Sequence, residues 1–414
     1  MQSDWPLVPI GEVAQVFDGP HATPKKTNSG PVFLGISSIK NGRLDLSDVE
    51  HLSEDDFARW TRRVIPQEED VVFSYETRLG QAAIIPPGLR CCLGRRMALV
   101  RPNRGRLLPR YFLYYFLSSE FQAFLKARTI HGSTVERLPL TDFPSYPVRL
   151  PPLETQRAIC RVLAAVDDRI DLLRQTNATL ESIAQAIFKS WFIDFDPVRA
   201  KAEGREPEGM DAAMAALFPG EFEESELGLI PKGWRIGKVE DLFILQRGFD
   251  LPASQRTDGS YTVFAASGPH GTHSAAMAQG PGVITGRSGV IGRVFYSHED
   301  YWPLNTALWV RQFRAATPPY AFQYLQTLDL SRLNAGSAVP TLNRNHVHAQ
   351  PALIPPAGVV SAYTAFAVPL LERIRVNREH ATALEALLDA LLPRLMSGTV
   401  TVLKKKVLPD EVAT

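Results

Sequence analysis

Two halves of this chain are written in the same order, and that repetition limits its folds more than any other feature. Leu150-Pro151-Pro152 and Ile354-Pro355-Pro356 stand 204 residues apart, as do Gly132-Ser133-Thr134-Val135 and Gly336-Ser337-Ala338-Val339. The same offset pairs Asp168-Arg169-Ile170 with Glu372-Arg373-Ile374, then Leu180 with Leu384, Ile183 with Leu387 and Ile187 with Leu391. Upstream the match loosens. Val71-Val72-Phe73 resembles Val283-Ile284-Thr285, Gly80 falls opposite Gly292, and Met97-Ala98-Leu99-Val100 resembles Thr306-Ala307-Leu308-Trp309. Tyr111 and Tyr115 match Tyr320 and Tyr324, and each half opens on a tryptophan, Trp5 or Trp234. A constant offset held over so long a stretch implies a duplicated unit.

Each half changes character partway along. Short apolar runs bounded by Gly, Pro and Asp read as strands: 31–36 and 70–74 in the first half, 259–264 and 282–285 in the second. A helix follows in each, predicted over 109–126 and 318–333, with proline at the entry. After each Pro-Pro pair the apolar spacing becomes 4,3,4,3. In the first half the seam is Ile159, Leu163, Val166, Ile170, Leu173, Asn177, Leu180, Ala184, Ile187 and Trp191. In the second it is Tyr363, Ala367, Leu370, Ile374, Asn377, Ala381, Leu384, Leu388, Leu391 and Leu395. Any long helix on a large core shows an apolar stripe, but strict 3.5 spacing over this length favours a two-helix coiled coil. One asparagine in each seam suits a register-fixing polar pair. A helix over 154–192 would run about 58 Å.

The expected organisation is α+β, with two globular domains of mixed strands and helices separated by two long antiparallel coiled-coil helices. The first domain takes 1–152 and the first helix 153–195. A solvated acidic linker rich in Pro and Gly follows at 196–231, with a short helix near 210–218. The second domain takes 232–356, the second helix 357–398, and a basic tail 399–414.

Chemistry is sparse. The sequence holds no phosphate-binding glycine loop, no zinc-binding helix and no nucleophile elbow. His270 and His273 read as a polar loop, and Cys91-Cys92 as a pair of small buried hydrophobes. Three cysteines exclude a disulfide framework. No unbroken run of 18 apolar residues implies no membrane span, and Met1–Pro9 lacks the pattern of a signal peptide. A reduced, cytoplasmic setting is the expectation. Formal net charge is +1, from 45 Lys and Arg against 44 Asp and Glu. That near-zero sum hides asymmetry. Residues 78–137 hold eleven basic side chains and two acids, a net of +9, and 231–352 hold eleven against seven, a net of +4. Arginine dominates both, which suits phosphate and guanine contacts.

The architecture, with the phrases Ile130-His-Gly-Ser-Thr-Val135, Leu150-Pro-Pro-Leu-Glu-Thr-Gln156 and Lys189-Ser-Trp-Phe-Ile-Asp-Phe195, resembles the specificity subunit of type I restriction-modification enzymes over residues 4 to 400. The resemblance implies a chain that is not itself the catalyst. Each globular domain would read one half of a bipartite, asymmetric double-stranded DNA site, and the helices would set the gap. Two modification subunits using S-adenosylmethionine and restriction subunits using ATP and Mg2+ would be the partners. No cofactor and no metal would be bound by this chain.

Recognition loops vary with target, so candidate DNA-contacting residues come from chemistry alone: Lys25, Lys26, Ser74, Arg78, Arg95 and Arg96 in the first domain, and His270, Arg287, Ser288, Asn305, Thr306 and Arg344 in the second. The alternatives are a coiled-coil scaffold that does not bind DNA, or the specificity subunit of a methylation-only complex.

Overall fold

A computed structural model describes residues 5–40, 42–131 and 135–400. Gly132, Ser133 and Thr134 of the repeated motif, and the basic run at Lys404, Lys405 and Lys406, lie outside these. The chain forms two compact units, one of Met1–Asp171 with Ala381–Thr414 and one of Leu172–His380. Each takes part of both long helices.

In the first unit four strands form an antiparallel sheet: β1 Ala14–Asp18, β2 Val71–Ser74, β3 Ala82–Ile84 and β4 Met97–Pro102, in the order β1-β4-β2-β3. β2 reads as an unbroken apolar run because both of its faces are covered. Val71 and Phe73 pack with Phe112, Phe116 and Phe143 on one side, and Val72 packs with Leu34, Leu93 and Leu99 on the other. Phe73 stacks on Phe143 at 4.6 Å between centroids. A smaller sheet pairs Thr27–Leu34 in parallel with Cys91–Leu93. The helix expected over 109–126 is two, Pro109–Leu117 and Ser119–Ala127. Ser118 breaks them: its backbone is extended and its hydroxyl caps the second by accepting from the Phe121 amide.

Two helices of 40 residues follow the Pro-Pro pairs, α1 Leu153–Phe192 and, late in the chain, α2 Ala357–Met396. Between them the second unit repeats the sheet: β5 Phe243–Arg247, β6 Gly282–Gly286, β7 Val294–Ser297 and β8 Ala307–Phe313, in the order β5-β8-β6-β7. Tyr261–Ala265 runs parallel to Tyr301–Pro303, as its counterpart does. Register corrects one alignment. Met97 lies opposite Ser74, and Ala307 lies opposite Gly286, so Met97 corresponds to Ala307 rather than to Thr306. The helix expected over 318–333 ends at Thr327, and a 3-10 turn takes 330–333.

In the second unit α1 and α2 run antiparallel. The Asn377 amide donates to Asn177 Oδ1 at 2.8 Å, the Asn177 amide donates to the Ile374 carbonyl at 3.3 Å, and the Tyr363 hydroxyl donates to the Ala184 carbonyl. In the first unit Ile159 and Leu163 share a core with Leu388, Leu391, Leu395 and Met396. Every seam position is buried or half-buried. One turn slips: Leu371, 6% exposed, takes the place expected of Leu370. Pro369, which withholds an N–H from the helical ladder, sits at that slip.

Two expectations change. The segment 196–231 is not a solvated linker. It holds a helix, Asp196–Ala202, and a hairpin of Phe222–Ser225 with Gly228–Pro231. Its Val198 and Phe218 are buried in the second unit's core, with Phe218 edge-on to Trp191 at 5.3 Å. Sparse apolar residues anchor an acidic sequence. Among the described residues α2 is also long and apolar enough to cross a bilayer by length and composition, although polar residues interrupt its apolar run. Its Glu372, Arg373, Arg375, Arg378 and Glu379 oppose such a placement, and its apolar stripe already lines the seam.

Candidate nucleic-acid interface

One end of each sheet carries the same clamp between two loops. In the first unit the turn after β2 is held by residues just past the repeated Gly-Ser motif. The Thr77 amide donates to the Glu136 carbonyl at 3.2 Å, the Leu138 amide donates to the Tyr75 carbonyl at 2.8 Å, and Glu76 bridges Arg137. In the second unit the turn after β6 is held at equivalent positions. The Gly289 amide donates to the Pro340 carbonyl at 2.9 Å, the Leu342 amide donates to the Arg287 carbonyl at 2.8 Å, and Ser288 bridges Thr341. Thr77 and Gly289 correspond and both have left-handed backbones, with φ of 69° and 90°. Glycine adopts this freely, whereas threonine does so at a cost.

The clamp gathers most of the second unit's candidates. The Arg287 guanidinium donates to the Asn305 carbonyl at 2.9 Å, and the Arg287 and Ser288 amides donate to the Thr306 carbonyl at 2.8 and 3.1 Å. The Asn305 amide is held by Asp250. Arg344 is exposed two residues past Leu342 and has no partner among the described residues. His270 stands apart on the strand Gly268–His273, exposed, with its carbonyl accepting from Arg256. His273 is buried, edge-on to Trp302 at 5.1 Å, and serves packing.

The first unit divides its candidates differently. Arg78 follows the clamped turn and Arg95 lies in the turn before β4; both are exposed and unpaired among the described residues. Arg96 is engaged. With φ of 72°, it pairs with Glu76 and donates to Thr77 Oγ1 at 3.0 Å, buttressing the turn. Ser74 is a correction: it is fully buried and its hydroxyl donates to the Glu76 carbonyl at 2.8 Å, so it presents nothing to a ligand. Lys25 is exposed, and Lys26 pairs with Glu50.

The glycine that starts the next loop is also shared. The Gly19 amide donates to the Met97 carbonyl at 3.0 Å, and the Gly248 amide donates to the Ala307 carbonyl at 3.1 Å. A Cβ at Gly19 would lie 2.4 Å from the Met97 carbonyl oxygen, and one at Gly248 would lie 2.3 Å from that of Leu304. Cys91 and Cys92 are buried, and desolvation pushes both thiols up to about 12, far from reactive. Among the described residues no group of three or more His, Cys, Asp or Glu is placed to hold a metal ion.

Sequence reasoning missed the run Arg59-Trp60-Thr61-Arg62-Arg63, of which Arg59, Trp60, Arg62 and Arg63 line a pocket that also includes Asp18 and Gly19. The signal was present, but the acids Glu54, Asp55 and Asp56 just before it hid the run within an acidic stretch.

Residues 2–182 match the family described as the type I restriction modification DNA specificity domain. The HindI specificity subunit of Haemophilus influenzae is 37% identical over 186 residues, covering 36% of this chain and 40% of that protein. The MjaIX specificity subunit of Methanocaldococcus jannaschii is 22% identical over 364 residues, covering 82% and 79%. The solved S subunit of a type I restriction-modification system from M. genitalium covers 95% of this chain and 96% of its own, with a TM-score of 0.56 and 12% identity, a likeness of fold.

Proposed function

From the match of residues 2–182 to the type I restriction modification DNA specificity domain and the likeness to two specificity subunits, we propose that the chain belongs to that family and is the DNA-reading subunit of such a complex. Each unit reads one half of an asymmetric bipartite site, and α1 and α2 keep the two readers at a set spacing. Methylation, with S-adenosylmethionine, and restriction, with ATP and Mg2+, belong to partner subunits in the cytoplasm. The observation that carries this is the repeated clamp: two units of different loop sequence bring basic and amide side chains to the same sheet end. Phosphate contacts would position each unit there and a few side chains would specify bases. Arg78, Arg95, Arg287, Ser288, Asn305, Thr306 and Arg344 are the residues best placed for it, with Lys25, Lys26 and His270 at other exposed positions.

Equilibrium binding to duplex DNA with the modification subunits present, across a salt series, tests this. Steep loss of affinity with salt is expected; its absence would leave the scaffold alternative. Deleting one heptad from each long helix should shorten the recognised gap by about 10 Å of helix. An unchanged gap would refute the spacing role.

A further inference from the structure

We propose that the pocket beside Asp18 and Gly19 in the first unit is a phosphodiester clamp on the DNA backbone, with Arg59 and Arg62 as its phosphate ligands. This rests on the reading of the chain as a DNA binder and assigns a further positioning site to it. The pocket has a volume of about 460 Å3 and lies between the end of β1 and the helix Glu54–Trp60. Its charged lining is three arginines, one aspartate and His21.

The aspartate is spent. Asp18 accepts from Arg63 at 3.2 Å, from the Tyr75 hydroxyl at 3.2 Å and pairs with His21 at 2.7 Å. Arg63 also donates to the Gly19 carbonyl at 3.1 Å, so it is fixed as frame. Arg59 and Arg62 are exposed, and neither has an ion pair or hydrogen bond among the described residues. Two free guanidinium forks at one pocket, beside a carboxylate already neutralised, leave an excess of positive charge that suits a phosphate oxygen. Trp60 supplies an apolar wall, and its indole N–H is buried without an acceptor.

Position selects the DNA backbone as the occupant. Asp18 bonds to Tyr75, which starts the clamped turn, and Gly19 bonds to Met97, at the end of the turn carrying Arg95. The pocket therefore adjoins the surface proposed to read bases. Its arginines also lie in a segment that is longer in the first unit than in the second: 36 residues separate Leu34 from Val71, against 16 between Ala265 and Gly282. The first half-site thus gains an anchor that the second lacks.

The test uses the full chain with its modification subunits, binding target and scrambled duplexes over a salt series. The Arg59→Ala/Arg62→Ala variant should lower the slope of log affinity against log salt by about 2, and weaken both duplexes by a similar factor. Arg59→Lys/Arg62→Lys should restore most of the slope. Arg59→Gln and Arg62→Gln alone, each expected to lower it by about 1, carry the test should the double variant fold poorly. Unchanged affinity and slope would overturn the proposal, as would weakening confined to the target duplex, which would mark a base contact. Thermal stabilisation by inorganic phosphate that these variants abolish, with DNA binding intact, would overturn it in favour of a small-anion site. Failure of the unaltered complex to bind any duplex would instead overturn the proposed function.

Discussion

The two units share a frame and differ in what decorates it. Strand order, the parallel pair, the loop clamp and the glycine after the first sheet strand all recur. The first unit adds the segment with Glu54–Trp60 and its basic pocket, and spends Arg96 on holding its own turn. The second uses Gly289 where the first uses Thr77, and holds its turn through Arg287 and Asn305. Backbone contacts are conserved where the frame must close, while side chains diverge on the surface left open. That division suits the proposed reading of two different half-sites.

The largest expected effect would break the shared frame. Gly19→Ala and Gly248→Ala each force a Cβ against a carbonyl oxygen, and each should cost about 3 kcal/mol or more in its own unit. Differential scanning calorimetry would show it; a change in only one of the two variants would mean the frames are not equivalent.

Next comes a feature of the second unit alone. Asn377→Ala leaves Asn177 buried and short of a partner, with an expected loss of about 1–3 kcal/mol in chemical denaturation. Asn177→Leu with Asn377→Leu should instead hold or raise stability, at the risk of register.

The proposed binding surface comes third. Arg95→Ala should change discrimination at the first half-site by about 1–3 kcal/mol if it meets a base edge. Arg344→Ala should do the same at the second. Arg96→Ala should weaken the first half-site through a loosened turn, with lowered melting temperature as its mark. Binding titrations against half-site variants separate these cases.

The smallest effect is acid sensitivity of the second unit. Burial holds His298 and His348 below the usual imidazole range, against the pull of Glu372 on the first and Glu240 on the second. His348 Nε2 also accepts the Leu245 amide at 2.8 Å, which requires the neutral ring. The folded state binds these protons more weakly than the unfolded chain, so stability should fall as pH drops below about 6.5. Melting curves between neutral pH and pH 5 should show this drop, and His348→Gln should reduce it.

The long helices were readable because a 3.5-residue period is written along one dimension: expected within 153–195 and 357–398, they span Leu153–Phe192 and Ala357–Met396. Pro369 and the adjacent Leu370-Leu371 pair left the slip ambiguous, since either leucine satisfies a loose period. The fates of Ser74 and Arg96 were not readable. Both depend on the close approach of 74–77 to 94–97 and to 136–138, contacts between stretches whose spacing carries no periodic signal. The anchoring of Val198 and Phe218 escaped for a related reason: single apolar residues in an acidic stretch have no pattern until a core receives them.

The division of α1 and α2 between the units has a consequence for the order of events on the ribosome. The second unit is one continuous stretch, Leu172–His380, whereas the first closes only with residues from Ala381 on. Ile159 and Leu163 therefore emerge with Leu388, Leu391 and Leu395, their core partners, still unsynthesised. At 5–20 residues per second the wait is roughly 10–45 s. The half of the chain made first is the half completed last, and through that interval its open seam is the surface a chaperone would have to cover.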